Sequence, residues 1–294
     1  MSGSRCLHTL LLFAFFAAVA PGLCGEPSAR VTLTPDVVEA GSPELIRIAA
    51  PASAKIEGEW LGRTLAFFWS RDSRAWFALA GVDVEAPAGL SQLKIVVTAG
   101  SGRADLSQSV KIHPARYRTT ALTVPPRFVA PSAEDLKRIE AEAHLKQSIF
   151  GASAPEPLWR GSFRAPVRAA PTDSFGTRRV FNGKLDSIHK GMDFHARPGK
   201  PVRAGNSGVV VLARPLYYEG SCVVIDHGLG LFTLSMHLSR IRVHEGQRVV
   251  AGQLLGLSGA TGRVTGPHLH WAVRWQGAYL DPAKLLQLNL NAVR

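Results

Sequence analysis

The sequence predicts a mostly β chain: two β domains joined by a linker that carries one helix. Three observations predict it. Short apolar or alternating runs, separated by Gly, Pro, Ser and Asp, fill residues 30–113. Helical signals are confined to one stretch near 132–149 and a short turn at Pro282-Ala-Lys-Leu-Leu286. After Phe175 the strand texture returns, with glycines at the turns. A length of 294 residues suits two domains of ordinary size, and 46% hydrophobic content with six Trp can fill their cores.

In chain order, residues 1–25 read as a secretory signal peptide. Arg5 precedes an apolar run from Leu10 to Ala20, followed by small residues and Pro21, so cleavage is expected between Ala20 and Glu26. The run is shorter than the ~20 residues that span a bilayer, and no second run of that length follows, so no integral membrane domain is expected after cleavage. The bulky Leu23 argues against lipidation of Cys24. Residues 26–116 read as a small β-sandwich of about seven strands, among them Val31–Thr34, Leu45–Ile48, Leu65–Trp69, Trp76–Leu79 and Leu93–Val97. Its Trp60, Trp69 and Trp76 are assigned to aromatic core rather than to a binding face. Residues 117–160 form the linker. Within it, Ser132 caps a helix over about 132–149, with Asp135 three residues on and Leu136, Ile139 and Leu145 as its apolar stripe. The Pro-rich stretch 154–171 is expected to wrap over a surface without forming an element. Residues 161–294 complete the second β domain.

Charge and cysteine content narrow the function classes. The net charge is +12, and +11 once Arg5, the only charged residue before Glu26, leaves with the signal. That sign suits an anionic partner such as a wall polymer, an acidic membrane face or nucleic acid. No Lys/Arg run is interleaved with aromatics, which argues against nucleic acid. Cys222 is alone in the mature chain, so there is neither a disulfide framework nor a Cys-based zinc site, and it reads as a small core residue.

Histidine placement carries the chemistry. Seven of the ten His fall between 189 and 270. In His268-Leu-His270, residues two apart on a strand share a face, while Leu269, Trp271 and Val273 take the other. Taken alone, that fragment is equally an exposed histidine pair. In His189-Lys-Gly-Met-Asp193, Gly191 argues against a helix, so a loop bending into a strand is expected. Two His and one Asp would give three ligands and leave a fourth tetrahedral place for water, the arrangement of a catalytic rather than a structural zinc site. His237, in Ser235-Met-His-Leu-Ser239, gains meaning only beside such a water, where a base and a donor to the oxyanion are needed.

Several ordered motifs carry a resemblance. They are Phe175-Gly-Thr-Arg-Arg179, Phe181-Asn-Gly183, His189-Lys-Gly-Met-Asp193-Phe194, Pro201-Val-Arg-Ala-Gly205, Asp226-His-Gly-Leu-Gly230, Met236-His-Leu-Ser239 and Gly262-Arg-Val-Thr-Gly-Pro-His268-Leu-His270-Trp271. Over residues 175–286 the chain closely resembles the lysostaphin-type, LytM-like zinc endopeptidases, the M23 peptidase family. The helix near 132–149 and Leu158-Trp-Arg-Gly-Ser-Phe163 look like the lead-in of Gram-negative members. The resemblance implies an antiparallel β-sheet groove with one zinc on its floor. It implies His189, Asp193 and His270 as metal ligands and His237 and His268 as catalytic residues. The implied activity is hydrolysis of peptide crosslinks in peptidoglycan, in the periplasm or cell envelope. The alternative is a catalytically inactive relative that binds or activates another wall hydrolase; such relatives typically lack ligand residues, and all five positions are present here. His195, His227 and His244 are expected to be non-ligands. Ser235 stands where members often carry Tyr, which bears on one wall of the groove.

Overall fold

Alternation of buried and exposed side chains in the first third of the chain produces two facing sheets. The structure, a computed structural model, describes residues 30–183, 185–291 and 293; the expected signal peptide lies outside them. One sheet runs in the order Val31–Thr34, Pro43–Ile48, Ala75–Gly81, Phe68–Ser70. The other runs Val38–Glu39, Gly102–His113, Gly89–Ala99, Lys55–Trp60, Arg63–Leu65. Ile46, Ile48, Phe77 and Leu79 of the first meet Trp60, Leu93, Ile95 and Val97 of the second in one apolar core. The run Leu65–Trp69, expected to be a single strand, is divided: Arg63–Leu65 belongs to one sheet and Phe68–Ser70 to the other. The chain changes sheets there, a long-range choice that a short apolar run does not record. Trp60 is core, whereas Trp69 and Trp76 are a half-exposed cross-strand pair with ring centroids 5.7 Å apart.

The helix spans Ala133–Phe150, and the Ser132 hydroxyl accepts from the Asp135 amide at 3.1 Å as an N-cap. Ile139, Leu145, Ile149 and Phe150 pack on the second domain, but Leu136 is 53% exposed and leaves the expected stripe. The reason is angular, since nine residues at 3.6 per turn put Leu136 about 180° around the helix from Leu145. Before the helix, Thr119–Leu122 pairs in parallel with Arg178–Phe181, which in turn pairs with Leu185–Ile188. The stretch 154–171 forms no element before Pro171; Trp159, Phe163 and Val167 anchor it in the core.

The C-terminal part of the chain carries a ten-stranded antiparallel sheet. Its central strand Leu269–Trp275 lies between Met192–Phe194 and Leu231–Ile241. Leu269, Trp271 and Val273 are buried in the core, as their alternation predicts. The short helix Pro282–Gln287 is capped by Asp281, whose carboxylate accepts from the Ala283 amide at 2.8 Å. Cys222 is fully buried, and burial pushes its thiol pKa up. Among the described residues no helix is long and apolar enough to cross a membrane.

Candidate metal centre and groove

Three neighbouring strands bring the histidines together. His270 on the central strand is the cross-strand partner of Asp193 on one side and of Met236 on the other. His189 follows the strand Leu185–Ile188, and Gly191 bends the chain into Met192–Phe194, so the expected loop entering a strand is what forms. No other residue fits at Gly191, because a Cβ there would collide with the His270 ring and the Trp271 carbonyl. His189, Asp193 and His270 are all buried.

Their ligand atoms converge. His189 Nε2 lies 3.1 Å from Asp193 Oδ1 and 2.9 Å from His270 Nδ1, and His270 Nδ1 lies 2.8 Å from the same Oδ1. Among the described residues they form the one group suited to hold a metal ion. Tetrahedral bonds of about 2.0–2.1 Å place ligand atoms about 3.3 Å apart, close to these separations. The donor set tests the fit further. His189 Nδ1 donates to the Ser174 carbonyl at 2.9 Å, so its Nε2 carries a bare lone pair aimed at the Asp193 carboxylate. Two electron-rich atoms facing each other in a buried site call for a cation between them, and the residues fit a metal.

Electrostatics prepare the group for that task. Burial opposes ionisation of Asp193, but the closely placed His189 and His270 rings outweigh it and hold the carboxyl far below the usual range. Burial pulls His270 down to about 4, so its ring is neutral and able to ligate near neutral pH. Arg179 donates to Asp193 Oδ2 at 2.5 Å and to Asp173 Oδ2 at 2.6 Å, orienting the carboxylate from behind. Nothing in the local sequence signals Asp173 or Ser174, and Arg179 falls within Phe175–Arg179 with no local mark of its role.

His237 and His268 flank this group. Their ring centroids are 4.9 Å apart, and that of His237 is 6.0 Å from His270. His268 Nε2 lies 3.6 Å from Asp193 Oδ1, and its Nδ1 is bound to the Gly266 carbonyl at 2.8 Å. His237 Nδ1 is bound to the Thr261 carbonyl at 2.8 Å, and burial pulls the ring down to about 3. Its backbone is unusual, with φ of 62°. Val223 pairs with Ser235 and Ser221 with Leu238, so Met236 and His237 together oppose Cys222 in a β-bulge. That bulge breaks the alternation: Met236 and His237 line the groove while Ser235 is buried and does not. The wall expected at Ser235 is therefore set by its neighbours.

The groove measures roughly 690 Å³ and runs past His189, Asp193, His237, His268 and His270. Arg118, Thr120, Leu122 and Val124 from the linker form part of one wall. His195 lies exposed at its edge, outside the ligand group. His227 is buried between the Ser207 carbonyl and the Thr233 hydroxyl, at 2.7 and 2.8 Å, and His244 sits in an exposed turn. Neither is near a ligand role.

Residues 187–282 match the model of peptidase family M23. The chain is 48% identical over 151 residues to the peptidoglycan DD-endopeptidase ShyA of Vibrio cholerae, covering 50% of this chain and 35% of that protein. It is 40% identical over 98 residues to the DD-carboxypeptidase/endopeptidase Mpg of Neisseria meningitidis, covering 33% of this chain and 23% of that one. The chain thus spans about a third of the length of ShyA and less of Mpg. A crystal structure of a putative peptidase M23 from Pseudomonas aeruginosa matches with a TM-score of 0.66 at 28% identity, covering 84% of this chain and 94% of that chain.

Proposed function

We propose that the chain, whose residues 187–282 match peptidase family M23, is an exported zinc endopeptidase that hydrolyses peptide crosslinks of bacterial peptidoglycan. The observation that carries the reading is the convergence of His189, Asp193 and His270 on one point of a groove, with His237 and His268 beside it. The likeness to the peptidoglycan DD-endopeptidase ShyA and to the DD-carboxypeptidase/endopeptidase Mpg, with the basic charge of the chain, supports the substrate. The intact ligand set speaks against an inactive binding module.

In this reading His189 Nε2, Asp193 Oδ1 and His270 Nδ1 hold the metal. Bound there, zinc supplies polarisation of the scissile carbonyl and a water of lowered pKa. The chain's own residues do the rest. His237 is neutral near pH 7 and its Nδ1 proton is committed to Thr261, which leaves Nε2 to accept a proton. His268 is oriented in the same way by Gly266, so its Nε2 would donate to the developing oxyanion or to the departing amine only once the ring has taken up a second proton. Arg179 keeps the Asp193 carboxylate from rotating.

The test uses the mature chain with purified sacculi and defined crosslinked muropeptide dimers, analysed by mass spectrometry. The zinc-loaded protein converts dimers to monomers, chelation abolishes this and added zinc restores it. His268→Ala lowers the rate by about 100-fold or more. A folded, zinc-loaded protein that leaves every dimer intact would overturn the proposal.

A further inference from the structure

Four cationic side chains line the groove, and three of them are paired. Arg118 meets Asp173 at 2.7 Å, Arg179 meets both Asp173 and Asp193, and Lys190 meets Glu85 at 3.1 Å. Arg263 has no carboxylate partner among the described residues. Its guanidinium sits between two rings instead, 4.7 Å from the centroid of Phe181 and 4.5 Å from that of Tyr218. Glu219 also lines the groove, but Lys146 engages it at 2.5 Å. A guanidinium stacked in this way is fixed in orientation, and its in-plane N–H edge stays available for a bidentate acceptor. The Glu219 charge acts on Arg263 without touching it, its carboxylate being engaged by Lys146, and a half-buried cation without a directly bound carboxylate gains from an anion brought in from outside.

The mounting of Arg263 ties it to the proton-handling residue. Its backbone amide donates to the Tyr218 carbonyl at 2.9 Å. The next residue, Glu219, accepts from the His237 amide at 2.9 Å, and Thr261 holds the His237 ring. Two short segments, 218–220 and 261–263, therefore position both the imidazole and the guanidinium on one wall.

We propose that Arg263 is the receptor for a substrate carboxylate next to the scissile bond, and so selects the chemistry of the crosslink. The inference rests on the hydrolase reading above. In a direct crosslink from D-alanine to diaminopimelate, the carbon bearing the released nitrogen also bears a carboxylate. The corresponding carbon of a glycine bridge bears two hydrogens and an uncharged amide carbonyl, and no carboxylate. A fixed guanidinium in the groove fits the first and gains nothing from the second.

The experiment compares two synthetic dimers that differ only in that group, one with the free carboxylate and one with its carboxamide. Both cleavage (kcat/KM) and equilibrium binding are measured for zinc-loaded wild type, Arg263→Met and Arg263→Lys. Loss of a charge-assisted bidentate pair corresponds to about 10- to 100-fold. Wild type is expected to prefer the acid over the amide by that factor, in KM and in binding. In Arg263→Met the ratio should fall towards one, and Arg263→Lys should retain part of it. Equal handling of acid and amide by wild type, or an acid preference that Arg263→Met keeps, would overturn the inference. A wild type that binds the acid dimer preferentially through Arg263 yet cleaves neither dimer would overturn the hydrolase reading and keep this one. Failure both to bind and to cleave would overturn both.

Discussion

At the scale of single residues, contacts behind the ligands matter as much as the ligands. Arg179 is the hinge of that support, holding Asp173 and Asp193 at once. Arg179→Met is expected to lower zinc affinity by about 10- to 100-fold, read by competition with a chromogenic chelator. Gly191→Ala is expected to do more damage, because the added methyl must push the His270 ring or the Trp271 carbonyl aside. Zinc stoichiometry should collapse, with a stability loss of about 1–3 kcal/mol in chemical denaturation. Glu44 predicts a pH dependence far from the groove. It is fully buried with both carboxylate oxygens unpaired, and burial raises its pKa from 4.5 to about 8. The folded state therefore favours the neutral acid. Its contribution is complete below the unfolded pKa of 4.5 and is lost as pH rises through about 8. Unfolding free energy should fall by a few kcal/mol from this group between pH 5 and pH 9, and Glu44→Gln should flatten that slope. An unchanged slope in the variant would contradict the assignment.

At the scale of elements, the site is made by irregularities in regular strands. The bulge at Met236–His237 turns His237 into the groove, and the left-handed backbone it requires costs a non-glycine residue about 1–3 kcal/mol. Neighbouring strands that bury Leu234 and Leu238 hold it there. The helix Ala133–Phe150 is a weaker element, with no fully buried side chain, and depends on its ends. Ser132→Ala removes the cap and should cost about 1 kcal/mol, seen as faster amide hydrogen exchange in the first turn. Thr119–Leu122 shows what local patterns omit. It has no apolar period of its own because its partner, Arg178–Phe181, lies almost sixty residues away. That pairing makes the linker part of the groove wall.

At the scale of the whole molecule, the two β regions share one apolar core. Gly81 lies against Leu280, Phe68 stacks edge-on against Trp159 at 5.9 Å, and the Tyr279 amide donates to Asp83 at 2.8 Å. Lys284 pairs with Glu39 at 2.6 Å across the same boundary. Calorimetry should therefore show one cooperative transition, and Leu280→Ala should lower it as a unit by about 2–5 kcal/mol. Two resolved transitions would refute this. The sequence by itself determined the β character, the cap at Ser132 and the bend at Gly191, because each depends on period, spacing or side-chain chemistry within a few positions; His189 and His270, 81 positions apart, were joined only by the resemblance that the ordered motifs carry. Only the tertiary structure decided that Arg179 braces Asp193, that Leu65–Trp69 divides between sheets, that Leu136 faces solvent and that Arg263 stands in the groove with no carboxylate partner among the described residues. Those outcomes depend on which distant segment comes to lie alongside, and long-range pairing leaves little trace in local composition.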